Sequence, residues 1–513
     1  MMRLKPIAAG TALMLAGCTV GPDYREPQIE VPQNFASPSA TRSAKQPKPS
    51  ITATSAPPVD LARWWTTLPD PKLHSLVSRA IEANLDLGIA LARVQEARTK
   101  VAAAVGEALP TVVAAEGAGW GTGQDLTRSR VPNEIRSGEN GSGLNQVTQA
   151  VGVYTDWEID LFGKFRREIE AAHYDAQAAI AARNDVLISV VANVARAYLG
   201  LRGAQMRLAV ARRSVATAGE VLAYVQKRYD RGLTNELDVN LAKRELRALQ
   251  ATLAPLGSEI DAAQYSIAVL LGQYPGVLAE ELSPPATIPA LPAKVDTGLP
   301  LDLLQRRPDI REAERNLAGA TARIGVATAN LFPHVSLVGA VGLQSPARVA
   351  ASGFIGAIGP SVSWSILDFG TLDAMVNVAD LRARQFLLNY KQTIIRAVEQ
   401  VDTAIAQYSA QQDRLSSLDD ALVASQGAVT LASERYDRGL TDFLNVLDAQ
   451  RAEFELEKEY VITQEAAANH LVYLFKALGG GWEEHQSLPP IRQPQPAVVA
   501  AFRHLLSRKD SMP

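Results

Sequence analysis

The sequence predicts an α+β chain that is mostly α-helical, with duplicated long coiled-coil helical hairpins and two β-hairpins. Three observations predict this fold class. One heptapeptide recurs letter for letter, as Arg228–Thr234 and Arg435–Thr441, at an offset of 435 minus 228, or 207 residues. Apolar residues recur at every seventh position before each heptapeptide, and segments of alternating apolar residues precede both heptad runs. A repeated unit of this kind indicates an internally duplicated chain.

The N-terminal end predicts a lipoprotein. A short basic stretch and an apolar segment of signal-peptide length end in Leu15-Ala16-Gly17-Cys18. This pattern matches a bacterial lipobox, so residues 1–17 are interpreted as a signal peptide and Cys18 as the lipidated residue. The alternative is an ordinary secretory signal with a chance cysteine. Thr19, rather than an aspartate, follows Cys18, which favours the outer membrane.

Composition excludes several functional classes. Cys18 is the one cysteine among 513 residues, so its acylation excludes disulfides and cysteine metal sites. The net charge is −3 with interspersed signs, which gives no indication of nucleic-acid binding. The six histidines are scattered. No nucleophile–base pair, phosphate loop or metal-ligand spacing is found, so we expect neither an enzyme nor a cofactor or metal.

The chain divides at recognisable boundaries. Residues 18–60 are rich in Pro, Ser, Thr and Ala and are predicted to be an extended tether. A second landmark, the Trp157 and Trp364 segments, has the same offset of 207 residues. The body is therefore two repeats, 61–295 and 296–482. The proline-rich tail, 483–513, has no assigned function.

The heptads predict one long helix per repeat, at about 164–230 and about 371–437. A sustained seven-residue period indicates a left-handed coiled coil, and about 65 residues would extend about 100 Å. The heptad positions are Ile180, Leu187, Val194, Leu201, Leu208, Val215, Leu222 and Tyr229, and then Leu387, Ile394, Val401, Tyr408, Leu415, Leu422, Val429 and Tyr436.

Each long helix is followed by a turn and a return helix. Gly232 and Gly439 are expected to cap the long helices, and Thr234 and Thr441 to begin the return helices. The return helices are predicted at about 235–272, with a bend at Pro255, and at about 441–478. Short helices at about 72–108 and about 302–331 would complete the length beside each long helix.

The β-hairpins are predicted at about 110–162 and about 333–368. Their second strands alternate an apolar face with a polar face, as lipid outside and water inside would require. The residues expected to face lipid are Trp157, Ile159, Val362, Trp364 and Ile366. The alternative is an amphipathic strand of a soluble sandwich. After residue 17 no uninterrupted run of 18 apolar residues occurs, so a membrane crossing would require strands of a closed barrel.

Geometry favours three chains. Four strands per chain cannot close a barrel, and about eight strands give a barrel filled by its own side chains. Twelve strands from three chains form the smallest symmetric barrel with an aqueous lumen. The helices would then form a twelve-helix tunnel.

Several motifs in order resemble the outer membrane factor family, the TolC-like proteins, in its OprM/NodT lipoprotein branch. The motifs are Trp64–Pro71, Trp157–Lys164, Arg306–Ile310, Phe332-Pro333 and Leu474–Trp482. The resemblance covers about residues 18–482. It implies a homotrimer with a barrel in the outer membrane and a periplasmic tunnel, working with a membrane-fusion adaptor and an RND-type or similar inner-membrane pump. The chain departs from shorter relatives in its tail and in a longer first strand loop.

The resemblance also implies where the working residues lie. The gate would comprise Leu444, Asp448 and Arg451. The first repeat has Leu237, Leu241 and Arg244 at the equivalent places and lacks the aspartate. The residues expected to dock the adaptor are Arg228, Gly232, Leu233, Thr234, Arg435, Gly439, Leu440 and Thr441.

The expected function is a passive exit duct of a tripartite efflux pump that exports small molecules such as drugs. Type I protein secretion is one alternative. A periplasmic adaptor or a coiled-coil lipoprotein without a pore is another. The body contains two methionines, Met206 and Met375, so no methionine-rich path suggests copper or silver export.

Overall fold

The computed structural model describes residues 19–36, 60–122, 145–292, 295, 300–346 and 353–485. The signal peptide, Cys18, most of the tether and nearly all of the tail lie outside the described residues. The chain forms two compact units. The first comprises residues up to 28, 93–180 and 312–391. The second comprises 29–92, 181–311 and 392 onward.

The element order repeats once along the chain. After a 3₁₀ turn at Leu61–Thr67, the first repeat contains α1 (Pro71–Ala83), α2 (Leu85–Glu107), β1 (Thr111–Thr122), β2 (Asn145–Ile159), α3 (Lys164–Asp230), α4 (Glu236–Ala251), α5 (Leu253–Leu270) and α6 (Ala279–Leu282). The second contains α7 (Pro300–Arg306), α8 (Pro308–Ala329), β3 (His334–Pro346), β4 (Gly353–Ser363), α9 (Thr371–Asp437) and α10 (Phe443–Ala477), before a 3₁₀ turn at Glu483–His485. The fold class predicted for the chain is confirmed.

The long helices α3 and α9 are 67 residues each. Three of the four shorter predicted helices are interrupted, whereas the second return helix, α10, is continuous. The first return helix breaks at Thr252, because Pro255 has no N–H for the carbonyl of Ala251. The short helices break at Asn84 and at Arg307. Asn84 accepts a hydrogen bond from the N–H of Leu87 at 3.1 Å and so restarts the helix.

One 18-residue window of α3 has a mean hydropathy of 1.4, which by length and composition would suit a membrane span. Within the chain 56% of that window is buried. A helix in the core of a protein has the same composition. The heptad residues Leu187, Val194 and Leu201 are fully buried, so packing accounts for the apolar character of the window.

The four strands form one antiparallel sheet in the first unit, in the order β1-β2-β3-β4. Residues that lie opposite each other share a face. Thus Val153 lies opposite Val341, and Val335 lies opposite Val362. Eight large apolar side chains are exposed on this same face: Val112, Val151, Val153, Val341, Leu343, Phe354, Ile358 and Val362.

The opposite face of the sheet is polar. There Asp156 lies opposite Val338, and Glu158 lies opposite Ser336. The carboxylate of Glu158 accepts a hydrogen bond from Lys164 Nζ at 3.1 Å and lies 2.7 Å from His334 Nδ1. The carboxylates of β2 therefore lie on the face opposite the exposed apolar side chains.

Two of the residues expected to face lipid lie outside the strands. Trp157 and Ile159 belong to β2 and Val362 belongs to β4, all on the apolar face. However, β4 ends at Ser363, so the expectation that Trp364 and Ile366 are strand residues is wrong. The indole N–H of Trp364 donates to the carbonyl of Leu331 at 3.1 Å. The ladder ends because β3 begins at His334, opposite Ser363, and the preceding residue, Pro333, has no N–H to donate.

Candidate docking tips and gate

Both long helices end in the same glycine-capped turn. Gly232 and Gly439 have φ of 73° and 70°, in the left-handed region that side chains disfavour. The N–H of Leu233 donates to the carbonyl of Arg228 at 2.9 Å, and the N–H of Leu440 donates to that of Arg435 at 2.8 Å. These bonds define a Schellman motif. The repeated heptapeptide therefore encodes two equivalent tips.

The return helices begin one residue later than expected. Asn235 is the N-cap of α4 and accepts from the N–H of Asp238 at 3.1 Å. Asp442 is the N-cap of α10. The prediction that Thr234 and Thr441 are the caps is wrong, because Thr234 donates to the carboxylate of Asp238. Thr441 Oγ1 accepts from Asn445 Nδ2 at 2.7 Å.

The two tips pack against each other through a small hydrophobic core, which we call the tip core. Its members come from α3 and α4 of the first repeat and from α9 and α10 of the second. They are Val225, Val239, Ala242, Tyr436, Phe443, Val446 and Leu447. The Tyr436 and Phe443 rings lie 5.4 Å apart. A core built from both repeats joins the two hairpin ends into one structure.

Arg228 differs from its equivalent in the second repeat. Its guanidinium lies 4.8 Å from the centre of the Tyr436 ring and donates to Tyr224 Oη at 3.1 Å. Tyr224 in turn donates to Asp437 at 2.7 Å. Arg228, one of the residues expected to dock the adaptor, therefore makes its contacts between the two hairpins. Arg435 is exposed.

Two leucines are the apolar residues that both tips present to solvent. Leu233 is 61% exposed and Leu440 is 63% exposed. A Schellman turn often buries the residue after its glycine against the helix, so equal exposure at both tips indicates a role outside the chain.

The proposed gate residues are split between two environments. Leu444 and Asp448 lie one helical turn apart on an exposed side of α10. Arg451 instead binds Glu245 of α4, with Nε 2.7 Å from Oε2. The hydrogen bond that Arg451 donates to Glu245 raises the pKa of Arg451, so its guanidinium stays charged. The structure thus ties Arg451 to the other return helix, whereas Asp448 faces solvent.

Asp238 links the two repeats a second time. Its carboxylate accepts from Tyr436 Oη at 3.5 Å and also from Thr234. Burial raises the pKa of Tyr436, so its hydroxyl remains a donor. Sequence reasoning missed Asp238, Glu245 and Tyr224. Glu245 was detectable, because its equivalent in the second repeat is Ala452.

A buried ion pair lies further along the helices of the second unit. Arg207 on α3 donates to Glu465 of α10 at 2.5 Å and also binds Glu259. The side chain of Arg207 is 11% exposed and that of Glu465 is 20% exposed. Burial raises the pKa of Glu465, and Arg207 opposes that rise. Within the described part of the chain, no group of three or more His, Cys, Asp or Glu side chains could hold a metal ion.

Comparisons with known proteins agree with this geometry. The family described as "Outer membrane efflux protein" matches residues 76–273 and 299–480. Nodulation protein T of Rhizobium leguminosarum bv. trifolii is 30% identical, over 86% of this chain and 90% of its own length. The solvent efflux pump outer membrane protein SrpC of Pseudomonas putida is 31% identical, over 95% of this chain and 100% of its own.

A solved structure matches at the level of the fold. The outer-membrane channel OprN superposes with a TM-score of 0.78 at 34% identity. The match covers 91% of this chain and 100% of OprN. The two family matches fall in the two sequence repeats, one in each.

Proposed function

The chain belongs to the outer membrane efflux protein family, and from its structure we propose that it is the trimeric exit duct of a tripartite efflux pump. It lies in the outer membrane and is a transport protein, not an enzyme. In the proposal, lipid on Cys18 anchors each chain, the sheet enters the membrane, and the helices form a tunnel that is gated at the tips. An adaptor and an RND-type pump would supply the cargo.

The observation that carries the proposal is a difference in exposure between equivalent residues of the two repeats. Ile188 on α3 is 2% exposed, whereas its equivalent Ile395 on α9 is 69% exposed. Phe162 stacks on Phe332 with the ring centres 4.7 Å apart, whereas the equivalent Phe369 is 91% exposed. At these two positions the first repeat is covered within the chain. The described residues leave the equivalent positions of the second repeat exposed, and a neighbouring first repeat would cover them.

The sheet supports the same assembly. Its outer strands, β1 and β4, each have one edge that no strand of the described residues pairs with. Unpaired backbone groups are costly in lipid, so a membrane sheet must close on itself. Three chains with four strands each would place β1 of one chain beside β4 of the next and give three times four, or twelve, strands.

A charge on the apolar face of the sheet should weaken the trimer. Ile358→Arg places a guanidinium where lipid would lie, at a cost of about 2–4 kcal/mol near the centre of the bilayer. We expect the SDS-resistant trimer of this variant to dissociate at a lower temperature on gels. Ala357→Arg, one residue away on the other face, is the matched control and should leave the dissociation temperature nearly unchanged. Equal sensitivity of both variants would contradict the lipid-facing assignment.

The cargo is proposed to be small toxic molecules such as drugs. SrpC is named for solvent efflux and nodulation protein T for nodulation, so the names of relatives do not agree on one substrate. Gene neighbours that encode an RND-type pump would favour this cargo. Neighbours that encode an ABC-type transporter would favour the alternative, type I protein secretion.

The docking role of the tips gives a direct test of the duct. Leu233→Asp combined with Leu440→Asp should abolish efflux, because each buried leucine contributes about 1.5–3 kcal/mol to an apolar interface. Drug susceptibility would be measured in a strain whose own gene is deleted, with and without the variant. Leu301→Asp, at another exposed leucine (59%), is the control.

The same strains separate docking from folding. The double variant should still form an SDS-resistant trimer that separates on heating, since its changes lie at the exposed turns. Normal efflux by the double variant would refute docking at the tips. A monomer from the unmutated chain in purified outer membranes would refute the duct itself.

A further inference from the structure

The residues that follow Cys18 are bound into the first unit of the fold. We call Thr19–Tyr24 the strap. The N–H of Val20 donates to the carbonyl of Phe162 at 3.1 Å. Tyr24 donates its hydroxyl to Glu314, and its ring lies 5.9 Å from that of Tyr174. Both ends of the strap are therefore held by the folded body.

Arg167 is the centre of this contact. It lies in the first turn of α3, and its side chain is 5% exposed. It donates to the carbonyl of Val20 at 3.2 Å, to the carbonyl of Gly21 at 3.3 Å and to the carboxylate of Asp23 at 2.6 Å. Its remaining Nη1 donates to Glu170 at 2.8 Å. Arg167 is thus a buried guanidinium with two backbone and two carboxylate partners. Three of these four partners belong to the strap, so Arg167 forms a specific binding site for it.

Gly325 of α8 makes room for both partners. A β-carbon at this position would lie 2.7 Å from Arg167 Cγ and 2.9 Å from Nε. The backbone of Gly21 crosses directly over it, too close for a side chain on either residue. Any larger residue at 325 would displace the arginine, the strap or both.

The second repeat has no equivalent binding site for a strap. The residue equivalent to Arg167 is Ala374. A β-carbon at Gly163 would meet Thr19 at 2.7 Å, whereas one at the equivalent Gly370 would meet nothing within 4 Å. The strap therefore binds at the β2–α3 junction and not at the similar β4–α9 junction. Arg167 and Gly325 distinguish the two junctions.

We propose that Arg167 and Gly325 form a seat that fixes the acylated N-terminus at the junction between β2 and α3. Thr19, which follows Cys18 in the sequence, lies against Gly163 at this junction. The lipid and the first repeat's strands would then enter the membrane at one place. Arg167 acts as a positioning residue. The inference rests on the lipidated duct proposed above.

Amide hydrogen exchange followed by mass spectrometry tests the seat in the purified full-length protein. In the unmutated chain, we expect protection of the strap peptide. In Arg167→Ala, exchange should be about tenfold faster or more, as expected when a hydrogen-bonded segment loses its main partner. Arg166→Ala is the matched control, because Arg166 is the neighbouring arginine and its more exposed side chain binds Asp160. Equal exchange in Arg167→Ala and Arg166→Ala would overturn the seat.

A second variant distinguishes loss of the strap contact from misfolding of the Arg167→Ala protein. Gly21→Leu changes only the strap and should release it in the same way, while Arg167 and the body remain intact. Slow exchange in Gly21→Leu would also overturn the seat.

The effect of strap binding on trimer assembly is measured in a separate experiment. After a pulse of labelled amino acids, conversion to the SDS-resistant trimer should be several-fold slower in Arg167→Ala than in Arg166→Ala, while the mass of the N-terminal peptide shows full acylation. Equal conversion rates would overturn the role in positioning. An unacylated Cys18 in the unmutated chain would refute lipidation alone, because protection of the strap is measured independently.

Discussion

Replacing Asp448 with alanine should make cells that carry this channel markedly more permeable to bulky antibiotics. Asp448 is exposed on α10, one turn from the equally exposed Leu444. In a trimer, three copies would approach the axis, where carboxylates repel unless a cation, a proton or a positive side chain joins them. Alanine has no carboxylate that could be joined in this way, so the three return helices would lose this link. Susceptibility to large antibiotics, measured in a strain lacking its own channel, is the test.

The control for this variant is another exposed aspartate on a long helix. Asp420→Ala removes the same charge from α9 and should leave susceptibility unchanged. Unchanged susceptibility in Asp448→Ala would show that this residue does not belong to the gate.

The contact between Arg451 and Glu245 refines the gate prediction. It joins α10 to α4 within one chain, so Arg451→Glu should separate the return helices and also raise permeability. The charge swap Arg451→Glu with Glu245→Arg restores an ion pair at the same place and should bring susceptibility back toward normal. A double variant as leaky as the single one would show that the pair does not hold the tips together.

Local periodicity explains why so much of the fold was predictable. The heptads set the long helices to within a residue or two, because a seven-residue period sustained over eight repeats has one physical solution. The end of β4 was less predictable. The alternation continues through Trp364 and Ile366, but β3 begins at His334, opposite Ser363, and Pro333 before it has no N–H to continue the ladder. The partner strand therefore overrides a local pattern.

The side-chain partners at the tips could not be read from one hairpin alone. Arg228 and Arg435 are followed by identical residues in the sequence, yet Arg228 covers Tyr436 and Arg435 is exposed. Which one is covered depends on how the repeats pack. Differences between the copies were a better guide, since Glu245 and Arg167 both stand where the second repeat has alanine. Both residues make contacts that the second repeat does not reproduce at its equivalent positions.

Replacing Arg207 with alanine should lower the free energy of unfolding by about 3 kcal/mol at neutral pH, since it leaves a buried carboxylate without its partner. Thermal unfolding of the purified trimer, followed by circular dichroism, would measure the loss. Arg213→Ala is the control. Arg213 binds Glu457 at 3.3 Å with 62% of its side chain exposed, and such a surface pair contributes about 1 kcal/mol or less.

The loss in the free energy of unfolding caused by Arg207→Ala should also depend on pH. Burial already raises the pKa of Glu465 above that of the unfolded chain, and removal of Arg207 raises it further. The folded variant therefore favours the protonated acid, and its stability falls as pH rises from the unfolded pKa, about 4.3, through the raised folded value. Arg207→Ala should approach the unmutated protein in acid and differ most at neutral pH. Adding Glu465→Gln should remove this pH dependence, and a pH-independent loss in Arg207→Ala alone would argue against a charged Glu465.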